Sequence, residues 1–442
     1  MNKKFIILLI FSFWLNANAQ ENWTLKQCID YGLKNNRNNT IYANQKRAAD
    51  AKTKEVLADY LPQVSLTSSL DNNLKLQQTV IPAGLFSEDE MRVSLSKQYN
   101  MNTVAQVDQV LYDQSLIIGI KANKYNKQQA ELNIHQSQEV IIYNISTAYF
   151  QIFVYHQQLE LLNFNKETYE KQIGIYRLQV DKGTVLQKDL DKVSVDYNNT
   201  VSQIRVAQSN LQLAENELKY EMGYPITDPL PVDISMDVEI PVSQESSPLE
   251  FSPASRIDYK LSELNIKVLV TEQSRIKAEA LPKLSAYFRY GGIGLGDNLK
   301  GSFKDIMPYS AVGIKLTVPL FNFYKRNARY KQAEISRINA EENLRLSEGR
   351  YRVEYENAYT KLLQAQANME NNRRNISLAE SVLKVTDLQF QKGTTNLTDW
   401  LNTQNSLKEA QNSYLNSLYS YYQARIDLEK AAGTLKTFYN SL

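Results

Sequence analysis

The side chains best suited to chemistry are few and scattered. His135 and His156 stand in helical sequence with no second ligand at i+4 and no serine and carboxylate arranged around them, so neither metal binding nor nucleophilic catalysis is expected there. Cys28 is the only cysteine. It excludes an intramolecular disulfide and reads as a small buried hydrophobe on a helix. The run Gly291-Gly292-x-Gly294-x-Gly296 follows a strand pattern but opens no helix, which makes it a flexible loop rather than a phosphate cradle. No nucleophile elbow or paired-cysteine metal motif is present. The expectation is a protein that is not an enzyme and holds no cofactor or metal. Lysine plus arginine number 50 against 48 acids, a net charge of +2 with no basic block, so nucleic acid is not expected as a partner.

One polar pattern does recur. Leu178-Gln179-x-x-Lys182-Gly183-Thr184 followed by Asp189 returns as Leu388-Gln389-x-x-Lys392-Gly393-Thr394 followed by Asp399. The chemistry of this pattern is that of a helix end. Lysine complements the negative pole of the helix before it and glycine takes the left-handed cap. Threonine can cap the next helix, with Gln187 completing a capping box in the first copy. At the same offset Ala214, Leu218 and Gly223 fall on Ala424, Leu428 and Gly433, and upstream Leu61-Pro62 resembles Leu281-Pro282. Duplication of one unit accounts for this.

The elements that position these turns follow from proline and periodicity. Six of the 11 prolines lie between Tyr224 and Arg256, whereas Asp113 to Met222 and Phe321 to Leu442 contain none. Such tracts suit long helices, because proline costs about 3 kcal/mol inside one. A helix of roughly 70 residues, spanning about 100 Å, then a tight turn and a return helix of roughly 40 residues is expected in each half. Ile141, Ile145, Ala148, Ile152, Tyr155, Leu159 and Leu162 alternate steps of four and three, as do Ile204, Ala207, Leu211, Ala214 and Leu218. Tyr414, Ser417, Tyr421, Ala424 and Leu428 repeat the second set. This is the seam of a coiled coil. Before each long helix two alternating segments predict a strand pair: Gln63 to Leu70 with Thr103 to Leu111, and Lys283 to Tyr290 with Val312 to Val318. Loops of about 30 and about 15 residues join the partners, and single helices, Thr24 to Tyr60 and Arg256 to Ala280, precede them.

The first 20 residues have a basic start (Lys3, Lys4), an apolar run from Phe5 to Leu15 and Ala17-Asn18-Ala19, the pattern of a cleaved signal peptide. The mature chain is expected to begin at Gln20 without lipid, since no cysteine follows the cleavage site directly. The organisation is therefore a signal peptide at 1–19, a first repeat at 20–223, a Pro-rich linker at 224–255 and a second repeat at 256–442. Mean hydropathy is −0.44 and no later apolar run could span a bilayer as a helix, but strands of a β-barrel escape such a scan. The fold class expected is mainly α with a small β part.

A signal peptide, a duplicated helix-strand-strand-long helix-return helix unit, and Lys-Gly-Thr turns followed by aspartate make this sequence resemble the TolC-like outer-membrane efflux family. The resemblance implies a homotrimer in which each copy gives four strands to a 12-stranded barrel in outer-membrane lipid and its helices to a periplasmic α-barrel. It also implies a periplasmic adaptor and an inner-membrane transporter as partners of a passive exit channel for small molecules. Four strands alone cannot close a barrel, since single-chain bacterial barrels start at about eight. A channel for type I protein secretion is the alternative within this architecture, and a soluble periplasmic coiled-coil scaffold the alternative outside it. Tyr60, Tyr112, Phe321, Phe323 and Tyr324 near the strand–helix junctions fit either a membrane-interface girdle or plain packing.

In that family the helices beside the turns narrow the periplasmic mouth, and acidic residues ring it. Carried over, Asp189 and Asp399 are the pore-lining candidates, with Lys182, Gly183, Thr184, Lys392, Gly393 and Thr394 forming the tip. This chain departs from the best-known pattern. Thr395 stands where an arginine can tie the closed state and Asn402 where a second aspartate can thicken the ring, so a weaker ring is expected. An acid in the first turns of a helix is also favoured by the dipole alone.

Overall fold

The computed structural model describes residues 22–84, 88–233 and 251–442. The signal-peptide cleavage site and linker residues 234–250, with Pro241 and Pro248, lie outside them. The described chain forms two compact units. One takes the residues up to Asn44, Glu131–Leu261 and Leu344–Leu442, and the other takes Gln45–Ala130 and Ser262–Asn343. Each unit thus draws on both halves of the sequence.

The chain opens with α1 (Leu25–Asn35) and α2 (Arg37–Ala58). Sequence periodicity predicts one helix here, and Asn36 divides it. Its extended backbone ends α1 with an N–H bond to the Gly32 carbonyl, its amide donates to the Glu221 carbonyl at 2.6 Å, and its Oδ1 accepts from the Asn38 N–H that begins α2 at 2.8 Å. The backbone of Asn36 thereby closes one helix and its side-chain oxygen opens the next, two ends that a continuous helix would not have, while its side-chain amide ties the break to Glu221. After the first strands come α3 (Gln114–Asp181) and its return helix α4 (Gln187–Met222). The second half repeats the plan with α5 (Ile257–Ala278), a strand pair, α6 (Lys325–Gln391) and α7 (Leu397–Ala432), and ends in α8 (Leu435–Ser441). The long helices hold 68 and 67 residues, close to expectation. Gly223 and Gly433 close the return helices in the left-handed region, at φ 70° and 74°.

The core of the helical unit follows the predicted seams. Ile141, Ile145, Ala148 and Ile152 of α3 are buried with Ala214 and Leu218 of α4 and Tyr421 and Ala424 of α7. Cys28 lies in the same cluster, fully buried, and burial pushes its thiol up to about 12. Small seam residues matter at α1 as well, because a Cβ on Gly32 would meet Ile145 Cδ1 at 2.2 Å.

The other unit is built around an antiparallel sheet of β1 (Gln63–Asn72), β4 (Tyr99–Tyr112), β5 (Lys283–Gly296) and β6 (Ile306–Thr317), in that spatial order. A separate hairpin of β2 (Thr79–Ile81) and β3 (Met91–Val93) occupies part of the long loop. The glycine run is not the loop expected from sequence, since β5 continues through it to Gly296. Its glycines admit close neighbours. A Cβ on Gly294 would strike the Ser302 carbonyl, and one on Gly296 the Ser302 amide, so the short 3₁₀ turn Gly301–Phe303 folds back against the strand. Among the described residues no helix is long and apolar enough to cross a membrane.

Candidate functional site

Both Lys-Gly-Thr turns end their helices in the same way. Gly183 and Gly393 sit at φ 72° and 70°, their N–H groups bond the carbonyls of Val180 and Phe390, and the N–H groups of Thr184 and Thr394 reach back to Gln179 and Gln389 at 2.9 Å each. This is the paired bond pattern of a glycine C-cap. The threonine hydroxyls reinforce it, donating to the same two carbonyls at 3.0 Å. The expected capping box is therefore absent. Thr184 is committed to the helix behind it, Leu186 stands at the N-cap of α4 with no side-chain cap bond, and Gln187 instead donates to Asp191 at 2.8 Å.

The return helices begin differently. In the second copy Asn396 caps α7 by accepting from the Asp399 N–H at 2.9 Å. The Asp399 carboxylate in turn accepts from Asn396 Nδ2 at 2.9 Å and Thr395 Oγ1 at 3.1 Å. Thr395 thus holds the carboxylate with a neutral donor. In the first copy Lys192 Nζ lies 3.4 Å from Asp189. At the matching place in the second copy stands Asn402, exposed, with its carbonyl accepting from Ser406 at 3.0 Å. Asp189 has a cation beside it, whereas Asp399 has only neutral donors. Burial, and then the Asp189 charge, push the Tyr176 phenol up to about 12.

An aromatic cluster that sequence reading overlooked draws the two turns together. Trp400, 1 % exposed, packs with Tyr169, Tyr176, Leu190, Val193, Leu397 and Leu401. Its ring meets Tyr169 edge-on at 6.2 Å and stacks near Phe390 at 5.9 Å, and its Nε1 donates to Asp387 at 3.2 Å. Farther along, buried Asn165 donates to Gln411 at 2.9 Å and accepts from Gln404 at 3.1 Å. The signal was available: carrying the 4-3 seam back from Tyr414 gives Gln411, Leu407, Gln404, Trp400 and Leu397, all buried. Beside these residues α3, α6 and α7 enclose a groove of about 720 Å³, with Phe164, Gln172, Ile175, Lys384 and Leu407 in its wall.

The sheet supplies a second kind of site. Register places Val64, Val107, Phe288 and Val312 in one row across the four strands, and Leu66, Ala105, Tyr290 and Ser310 in another on the same face. The opposite face carries Gln63, Asp108 and Tyr287 in one row, and Ser65, Gln106 and Arg289 in the next. One face is thus apolar and the other polar, and Val64, Leu66, Val312 and Ile314 are exposed. Two cross-strand pairs set tyrosine over glycine, Tyr287 on Gly313 and Tyr309 on Gly291, which fills the space the glycines leave. Asp113 caps α3 through the amides of Ser115 and Leu116 and pairs with Lys283 of β5 at 2.7 Å. The histidines remain apart from both sites. His135 contacts Gln138, and burial lowers the pKa of His156.

Residues 276–434 match the family model described as "Outer membrane efflux protein". Among curated relatives, Outer membrane protein TolC of Vibrio cholerae is 21 % identical over 362 residues, 78 % of this chain and 82 % of that protein. TolC of Escherichia coli is 21 % identical over 345 residues, covering 75 % and 69 %. Among solved structures the transmembrane channel CusC superimposes with a TM-score of 0.74 at 18 % identity, covering 92 % of this chain and 91 % of that one. The Campylobacter jejuni CmeC outer membrane channel gives 0.74 at 16 %, covering 93 % and 85 %. These superpositions establish the fold, and the mostly helical chain with its small sheet matches it. Together with the repeated turns and the two-faced sheet, these likenesses make the chain similar to TolC-like outer membrane efflux proteins, with the family match itself confined to residues 276–434, and place it in the outer membrane of Gram-negative bacteria.

Proposed function

We infer that this chain is the passive exit duct of a tripartite efflux pump. Three copies close their sheets into a 12-stranded barrel and their helices into a periplasmic tube, which conducts small molecules received from an inner-membrane transporter through a periplasmic adaptor. The supporting observation is the sheet itself. It has four strands, two unpaired outer edges at β1 and β6, and an exposed apolar face. In lipid each unpaired backbone group costs several kcal/mol, so the edges call for neighbouring copies. A head-to-tail ring pairs β6 of one copy with β1 of the next and leaves the polar face inward. We read the chain as a signal peptide at 1–19 and two copies of one unit, 20–223 and 256–442, joined by 224–255. The groove beside the turns is of a size and mixed polarity that suits an adaptor helix. Efflux is favoured over protein secretion by the matched family description.

The turns form the periplasmic mouth on this reading, and Asp399 is its pore-lining carboxylate. Three such groups in a narrow passage attract cations. The test is native mass spectrometry of the detergent-extracted protein followed by planar-bilayer recording. A trimer with cation-selective conductance is expected, and Asp399→Asn is expected to lower selectivity and weaken block by multivalent cations without loss of the trimer. A monomer, or fractionation with soluble periplasmic protein, defeats the duct. Unchanged selectivity in an assembled Asp399→Asn trimer removes the gate assignment alone.

A further inference from the structure

The two strand-to-helix junctions solve one problem in different ways. After β4 the chain passes directly through Asp113, a side-chain cap tied to Lys283, into α3. After β6 it runs Val318-Pro319-Leu320-Phe321-Asn322-Phe323-Tyr324 before α6 begins. Phe323 and Tyr324 both occupy the left-handed region, at φ 45° and 67°, and are the only described non-glycine residues with positive φ. Aromatic residues rarely take that conformation, since their Cβ crowds the backbone. The chain holds it without any compensating burial, because Leu320, Phe321, Phe323 and Tyr324 are 90, 68, 81 and 76 % exposed. Phe321 and Phe323 touch only edge to face, with centroids 4.6 Å apart.

Charge follows directly. Lys325 and Arg326 open α6, and no acid stands in its first turn. Cations at a helix N-terminus oppose its dipole. Arg329, one turn on, is held by Glu279 at 2.8 Å, whereas Lys325 and Arg326 pair with no described carboxylate. The apolar side of this knuckle also continues the sheet, as Val312, Ile314, Leu316, Val318 and Leu320 keep the two-residue period and are all exposed.

We propose that the Leu320–Tyr324 knuckle with Lys325 and Arg326 is a binding site for anionic phospholipid in the periplasmic leaflet of the outer membrane. This rests on the reading of the sheet as a barrel wall whose helical end faces the periplasm. The apolar face that meets acyl chains ends at the knuckle. Its aromatic rings lie at headgroup depth, where amphipathic and aromatic side chains are stabilised, and the two cations meet the phosphates. The lipid supplies the negative charge that the start of α6 lacks, and the headgroup region supplies the burial that the left-handed pair lacks.

The test uses the full mature chain in nanodiscs of phosphatidylcholine with one part in four phosphatidylglycerol. Lipids retained on release into detergent are counted by native mass spectrometry. Phosphatidylglycerol is expected to be enriched over phosphatidylcholine, and Lys325→Gln with Arg326→Gln to reduce that enrichment roughly tenfold. Phe321→Ser with Phe323→Ser is expected to reduce retention of both lipids. Lys331→Gln, at a lysine paired with Glu334, is expected to change nothing. Intact trimers of the Lys325/Arg326 double variant with wild-type enrichment overturn the lipid site and leave the duct untouched, whereas a wild-type chain that gives only monomer defeats the duct reading. If the double variant fails to insert, Phe323→Cys in the otherwise wild-type chain takes its place. Cys28 is fully buried, so a thiol-reactive fluorophore labels position 323 alone. Quenching by spin-labelled phosphatidylglycerol supports the site. Its absence, or a cross-link from position 323 to a neighbouring copy, overturns it.

Discussion

The two turns have almost the same backbone and different surroundings. Their glycine φ angles differ by two degrees, and their threonines bond the same relative carbonyls at the same distances. Past the turn, Leu186, Leu190 and Lys192 in the first copy face Asn396, Trp400 and Asn402 in the second. The first return helix starts uncapped, packs an aliphatic side chain and neutralises its aspartate with lysine. The second starts capped, packs an indole and surrounds its aspartate with neutral donors. Duplication has kept what the turn needs and changed what the site presents, so the two carboxylates at matching positions are not equivalent.

The largest consequence concerns Trp400. It is the widest side chain in the cluster that joins both copies, it contacts two aromatic rings, and its indole N–H is bonded to Asp387. Trp400→Ala is expected to cost roughly 3–5 kcal/mol of local stability and to release hydrogen exchange at both turns, since Tyr169 and Leu190 lose the same neighbour. Leu190→Ala, a smaller deletion at the margin of the cluster, is expected to cost less, toward the lower end of the 2–5 kcal/mol typical of such truncations. Equal losses, or protection lost at one turn only, break the view that the tryptophan copy organises the pair.

The glycines come next. Nothing lies within 4 Å of a Cβ built on Gly183 or Gly393, so Gly→Ala at either position tests conformation without sterics. Both are expected to cost about 1–2 kcal/mol, the strain of a left-handed alanine, and to do so equally in denaturant unfolding. An inequality reports a difference in the backbones that the angles do not contain. Below these stands the cap. Asn396→Ala is expected to lose about 1 kcal/mol, while Leu186→Asn, at an exposed position with extended backbone, is expected to gain a comparable amount by giving α4 the cap that α7 already has.

Much of this was legible in the sequence, and the reasons for the remainder are physical. Helix lengths, left-handed glycines, strand pairs and the seams follow from proline, repeat and period, which act locally. Asn36 was missed because its three hydrogen bonds include one to Glu221, a partner that periodicity cannot supply. The glycines of β5 resembled a loop because the turn that packs on them comes later in the chain. Thr184 and Gln187 have the spacing of a capping box, but the threonine hydroxyl is taken by the helix behind it. Trp400, Gln404 and Gln411 lie on the predicted seam extended toward the turn, and only their polarity concealed them. The knuckle was visible as aromatic residues, but its strain was not, because φ is not written in composition.

The smallest effect in stability sharpens the comparison most. Lys192 is half exposed and sits 3.4 Å from Asp189, so removing it breaks a surface pair worth about 0.2–1 kcal/mol. Lys192→Asn places in the first copy the residue that Asn402 supplies in the second, and the unfolding midpoint is expected to move little. The local charge changes more, because Asp189 then keeps its negative charge without a neighbouring cation, as Asp399 does. If both carboxylates line the passage, cation selectivity in planar bilayers is expected to rise with Lys192→Asn and to fall below wild type with Asp399→Asn. The double variant is expected to lie between them. Screening limits the effect at high ionic strength, since the Debye length is about 10 Å at 0.1 M salt and about 3 Å at 1 M, so the recordings are compared at low and high salt. Selectivity that responds to Asp399→Asn but not to Lys192→Asn at low salt assigns the passage to the second copy alone and leaves Asp189 as a helix-start residue balanced by its lysine.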